Sequence, residues 1–185
     1  MTAIAPEPFT PSEAAKLLAA MPLMLGAEIE ALPDGIARWR PGPDEWSVAE
    51  VLGHLIEAEE RGFAGRVRTM LGGTLPDFAT WDPAAVARDR ADAARDPGSL
   101  LRQFAAHRAE SVALVAALSA DDLQRTGQHP EVGDLSVADL LHEWVHHDRN
   151  HLKQLLTIGQ AATWPHMGNA RRFSRPDAEA PACQD

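Results

Sequence analysis

Apolar residues recur at three- and four-residue intervals over four long stretches of this 185-residue chain, and each stretch reads as an amphipathic helix. The first runs from Ser12 to about Leu32 on Leu17, Leu18, Met21, Leu25, Ile29 and Leu32, with Ser12 as its N-cap and Pro22 expected to kink it or to mark a late start. The second runs from a Ser47 cap, with Glu50 at the capping-box position, to about Leu71, and buries Val48, Val51, Leu52, Leu55, Ala58 and Phe63. The third, Ser99 to about Leu118, stands on Leu100, Leu101, Phe104, Val112, Val115 and Leu118. The fourth opens at Ser136 with Asp139 three residues on, and its stripe is Val137, Leu140, Leu141, Trp144, Leu152, Leu155 and Ile158. No strand pattern accompanies them.

The connections fit a bundle. Leu32-Pro33-Asp34-Gly35 is a turn, and the loop from Trp39 to Trp46 holds two prolines and two tryptophans that can anchor it. Residues 72–98 have the length of a crossover along the bundle, with a short helix expected around Ala84 to Ala94. Thr126 to Asp134 reads as a turn region. The pattern predicts an all-α fold, a four-helix bundle with a long crossover between helices 2 and 3. Residues 1–165 form the domain, in which Trp164 could dock, and 166–185 a mobile tail.

The last helix carries four histidines in two i,i+4 pairs, His142 with His146 and His147 with His151. At roughly 100° per residue, His147 and His151 fall along one edge of the apolar stripe, while His142 and His146 fall on the polar side with Arg149 and Lys153. Two inward histidines are either core residues satisfied by hydrogen bonds or metal ligands, and a metal needs a further ligand from elsewhere. On the second helix His54 lies near the border of the stripe, and Glu59 and Arg66, two turns apart, point towards its middle.

Composition narrows the partners. A formal charge of -10 with no basic stripe argues against nucleic acid, and 45% apolar residues fit a globular chain. No apolar run approaches the length of a membrane span, and the N-terminus lacks the basic and apolar segments of a signal peptide. The single Cys183, near the C-terminus, fits a reducing compartment, so the expected location is cytoplasmic.

Three motifs in this order resemble the DinB-like (DinB/YfiT) family of metal-binding four-helix bundles. They are Trp46 to Leu55 with Glu59 and Arg66 following, Gly127-Gln128-His129-Pro130 with Gly133, and His147 to Leu155. The resemblance covers about residues 12–160 and implies that His54, His147 and His151 bind a divalent metal ion, commonly nickel, zinc or iron. The wheel selects the same pair on the last helix independently. Three imidazoles leave positions open for water or a thiol, the arrangement of a catalytic site. Relatives named by the resemblance include thiol S-transferases, a mycothiol-dependent isomerase and proposed hydrolases, often dimeric.

The resemblance therefore implies a small-molecule substrate, possibly a thiol, and a homodimer. Asp148 lies in the middle of the stripe, where it either pairs with Arg66 or steadies a ligand imidazole; it and Glu59 are candidate general bases. His129 is a loop histidine that is either solvated or packed in its loop or else lines the pocket, and His107 and His166 carry no pattern. Without an evident nucleophile, a second reading stays open: a non-catalytic binding or stress-response module with a stabilising metal.

Overall fold

The structure, a computed structural model, describes residues 7–33, 35–73 and 78–174. Its helices are α1 (Pro11–Ala31), α2 (Val48–Glu57), α3 (Phe63–Leu71), α4 (Pro83–Asp89), α5 (Pro97–Ala116) and α6 (Val137–Thr163). Capping boxes open three of them, Thr10 with Glu13, Ser47 with Glu50 and Ser136 with Asp139. In each the hydroxyl accepts an amide of the first turn and the acid accepts the cap's own amide, satisfying two orphan donors. The cap of α1 is Thr10 rather than Ser12, because Pro11 fills the first helical position, where no N–H is required. In the same way α5 opens on Pro97 behind Asp96, ahead of Ser99.

Pro22 lies inside α1, which continues through it. A proline has no N–H to give the carbonyl four residues back, here Leu18. Arg108, on α5, donates its Nη1 to that carbonyl at 3.0 Å. A defect in one helix thus becomes an acceptor for a side chain of its neighbour.

The second long helix is not a single α-helix. A π-helical turn, Ala58–Gly62, joins α2 to α3. It inserts one residue, so positions beyond it are rotated by about 100° from an uninterrupted wheel. Glu59 and Arg66 therefore do not share a face: Glu59 is buried, whereas Arg66 is half-buried beneath the crossover. Gly65 permits the turn, since a Cβ there would overlap the Glu60 carbonyl oxygen.

Helices α5 and α6 each pack on both α1 and α2, and α3 packs on α6, so α1 stands across the bundle from α2. The crossover contains α4 and a 3-10 turn, Asp92–Ala94, both seated on α2. Asp92 is 1% exposed, holds Arg95 at 3.0 Å and Arg90 at 3.4 Å, and covers Gly53, where a Cβ would overlap its carboxylate. That contact fixes the crossover on α2 one residue before His54.

Where the sequence suggests only a turn, an antiparallel hairpin forms, β1 (Thr126–His129) with β2 (Gly133–Ser136). Each strand has four residues, and their burial does not alternate, so no period of two is visible. Gly133 takes a φ of 80° at the turn.

The core divides into two apolar clusters, one around Leu18, Val67, Val115 and Trp144 and the other around Met21, Leu52, Phe104 and Leu155. Their boundary falls between Phe104 and Val112 on α5 and between Val145 and Leu152 on α6, where Arg108 and Asp148 stand. After α6 come two short 3-10 turns, Trp164–His166 and Gly168–Arg172, with Arg171 over the Trp164 ring. Cys183 and the rest of the expected tail from residue 175 lie outside the described residues. No described helix is long and apolar enough to cross a membrane.

Candidate metal centre

His147 and His151 stand one turn apart on α6, and His54 meets them from α2. The Nε2 atom of His147 lies 3.0 Å from that of His54 and 3.2 Å from that of His151. One ring nitrogen from each residue lies within 4.8 Å of the other two. All three rings are mostly withdrawn from solvent, with Trp46 tilted over His54 at 5.2 Å between centroids and Phe63 edge-on to His147 at 5.1 Å.

These nitrogens cannot all satisfy one another. A neutral imidazole has one N–H and one lone pair. His151 Nδ1 lies 2.8 Å from Gln154 Oε1, an acceptor, which assigns its proton to Nδ1 and leaves Nε2 a bare lone pair aimed at His147. His147 Nδ1 is buried with no partner among the described residues. Nitrogens held about 2.0–2.1 Å from a tetrahedral ion would lie roughly 3.3 Å apart, close to the spacing observed. The donor set fits a divalent ion with neutral imidazole ligands, and no fourth protein ligand joins it among the described residues.

Burial sets the protonation state. It pushes the His54 pKa down to about 3, with the like charge of His151 adding to the effect. His147 is lowered well below its ordinary value by burial and then by its two histidine neighbours. His151 is lowered by burial against the opposing pull of Gln154 and Asp148. At neutral pH all three are uncharged, the form that binds metal.

Asp148 does not pair with Arg66. Its partner is Arg108, whose Nη1 and Nη2 meet the two carboxylate oxygens at 2.5 and 2.9 Å. The same guanidinium donates Nε to Glu59 Oε1 at 2.7 Å; Trp144 Nε1 donates to that oxygen at 3.1 Å, and the Ser111 hydroxyl to Oε2 at 2.5 Å. Arg108, Glu59 and Asp148 are 1%, 2% and 1% exposed, so this is a buried ionic layer with every oxygen engaged. Burial pushes both carboxyls up against the hold of Arg108, and their hydrogen bonds raise the guanidinium despite burial. Arg66, rotated away by the π turn, lies instead over the rings of Phe78 and Trp81.

The remaining histidines stay outside the cluster. His142 stacks on Phe9 and accepts its amide at 3.0 Å, and His146 is exposed, as the polar face requires. His129 accepts the Glu131 amide at 3.3 Å, His107 faces Glu60 at 3.2 Å, and His166 is exposed. Sequence reasoning missed Arg108, Ser111 and Gln154. Arg108 had a visible mark, since it sits four residues from both Phe104 and Val112 in the middle of an apolar stripe.

A solved structure, YfiT from Bacillus subtilis, superposes with a TM-score of 0.76 at 19% identity, covering 89% of this chain and 93% of that one. It is described as a probable metal-dependent hydrolase with an unusual four-helix bundle topology. Among curated proteins, the uncharacterized protein YuaE of Bacillus subtilis (strain 168) is 26% identical over 147 residues, 71% of this chain and 88% of that protein. The sequence pattern of the DinB superfamily matches residues 17–155, a span that takes in α2, the π turn and all three histidines. The chain belongs to the DinB superfamily.

Proposed function

We propose that this chain is a metal-dependent enzyme that holds a divalent ion on His54, His147 and His151 and activates a low-molecular-weight thiol or water there, as a thiol S-transferase or hydrolase. The observation that carries the reading is the convergence of three largely buried, neutral imidazoles on one point with no fourth protein ligand among the described residues. Nickel, zinc and iron all accept imidazole, and any of them, once bound, would act as a Lewis acid that lowers the pKa of a thiol or water. The description of YfiT as a probable metal-dependent hydrolase supports the water-using version. A small-molecule substrate, a cytoplasmic location and a homodimer complete the proposal.

The protein's own residues supply orientation. Gln154 fixes the His151 tautomer, Trp46 and Phe63 screen the rings from water, and α6 carries both ligands on one rigid face. Asp148 and Glu59 are positioning residues in this reading, because their oxygens are taken by Arg108, Ser111 and Trp144. The same fact favours one alternative, a non-catalytic binding or stress-response module, since neither acid is free to act as a base.

A panel of thiols with electrophiles, and of hydrolysable esters and amides, decides between them. The enzyme reading expects metal-dependent turnover that disappears in His54→Ala, His147→Ala and His151→Ala. Metal that raises the melting temperature with no turnover across the panel would favour the module.

A further inference from the structure

A cavity of about 370 Å³ lies where the crossover meets α3, bounded by Gly65, Arg66, Thr69, Phe78, Thr80 and Trp81. Two other charged residues reach it and are already engaged, Glu60 with His107 at 3.2 Å and Arg61 with Glu57. Arg66 is different. Its guanidinium carbon lies 5.2 Å from the Phe78 ring and 5.3 Å from the Trp81 ring. Aromatic rings attract a cation but leave most of its five N–H donors without acceptors.

The one acceptor Arg66 meets among the described residues is the Ala79 carbonyl at 3.5 Å, the outer limit of a hydrogen bond. Among the described residues no carboxylate comes within ion-pair distance of it, and Glu131 acts on it only through its field. Half-buried, the guanidinium stays charged in a site that disfavours charge. Trp81 adds a second unmet donor, since its indole N–H is shielded from water and has no acceptor among the described residues. A buried donor left unpaired costs about 1–3 kcal/mol.

We propose that this cavity binds the carboxylate of a small molecule with a flat or apolar body, gripped by Arg66 and flanked by Phe78 and Trp81. A planar carboxylate matches the two-pronged geometry of guanidinium, and the rings suit an apolar body better than a hydrated phosphate. Nothing in this depends on the metal centre: the site stands on different residues, and it binds whether or not the histidines hold an ion.

Benzoate is the probe, added to the full chain while the indole N–H resonances are followed by NMR, with the Trp81 peak identified by its loss in Trp81→Phe. The expected result is a saturable shift of that peak with a Kd in the millimolar range or tighter. Arg66→Met should weaken binding at least about tenfold, the loss of one charge-assisted contact, and Arg66→Lys should fall between. Circular dichroism establishes that each variant is folded; if Arg66→Met is not, Arg66→Lys carries the comparison, weakened binding supporting the site. His54→Ala should bind benzoate as the native chain does.

No saturable shift by roughly 20 mM benzoate overturns the proposal, as does an unchanged Kd in folded Arg66→Met and Arg66→Lys. Loss of binding in His54→Ala would assign the anion to the histidines instead, and a shift with inorganic phosphate but none with benzoate would exclude the carboxylate class.

Discussion

The buried ionic layer and the three histidines share the same two walls of the bundle, yet one is complete and the other is not. Asp148 belongs to the first and His147, its neighbour on α6, to the second. In the ionic layer five donor groups converge on two carboxylates and a proline-freed carbonyl, and every oxygen is matched. In the histidine cluster the converging nitrogens cannot all be paired with one another, and one ring nitrogen has no partner among the described residues. A network that closes on itself holds the helices in register; a set of convergent lone pairs has unmet capacity that a cation would fill. The contrast assigns architecture to Arg108 and chemistry to the histidines.

The largest expected effect breaks the complete cluster. Arg108→Met leaves two carboxylates buried without a counter-charge, and such losses cost about 3–5 kcal/mol. Urea unfolding should show a midpoint shift of that size, and a loss under about 1 kcal/mol would mean that the layer is not what holds the bundle together. A smaller effect sharpens the incomplete cluster. Gln154→Leu removes the acceptor that fixes the His151 tautomer, so affinity for zinc, read by chelator competition, should fall about 10- to 100-fold while the metal-free fold keeps its stability. Unchanged affinity would show that Gln154 merely packs there.

The smallest effect is a slope. His54 keeps a pKa of about 3 against an ordinary value of 6.5, and His147 and His151 are also lowered. As the pH falls through that window the unfolded chain takes up protons that the folded one resists. Metal-free protein should therefore lose stability from pH 6.5 downwards, by up to roughly 1.4 kcal/mol per pH unit for each histidine. Urea midpoints at pH 7.5 and about 5.5 measure it, and His54→Ala should flatten the dependence; equal slopes in the two proteins would remove His54 from the account.

Much of this was legible before any coordinates. Four apolar periodicities gave the bundle, and two capping boxes, at Ser47 and Ser136, start helices where the pattern places them. His147 and His151 stood out because a helical wheel is reliable in an uninterrupted helix such as α6. The same wheel placed Glu59 and Phe63 correctly but misplaced Arg66, because a π turn rotated it off the face it shared on paper with Glu59. No local pattern announces such a turn, and the helix propensity of the segment is unchanged by it. The partner of Asp148 was hidden for another reason. Pairing across the bundle depends on which helices are neighbours, and diagonal placement of α1 and α2 brings α5 against both, which intrahelical spacing does not encode. The hairpin escaped because four-residue strands without alternating burial have no period to detect.

The central claim is that the histidines form a metal site, and elemental analysis of protein purified without chelator or nickel-affinity resin tests it most directly. The account predicts close to one divalent ion per chain in the native protein and loss of that ion in folded His147→Ala. A native chain that stays metal-free when offered nickel, zinc or iron, or a His147→Ala chain with undiminished metal content, would contradict it.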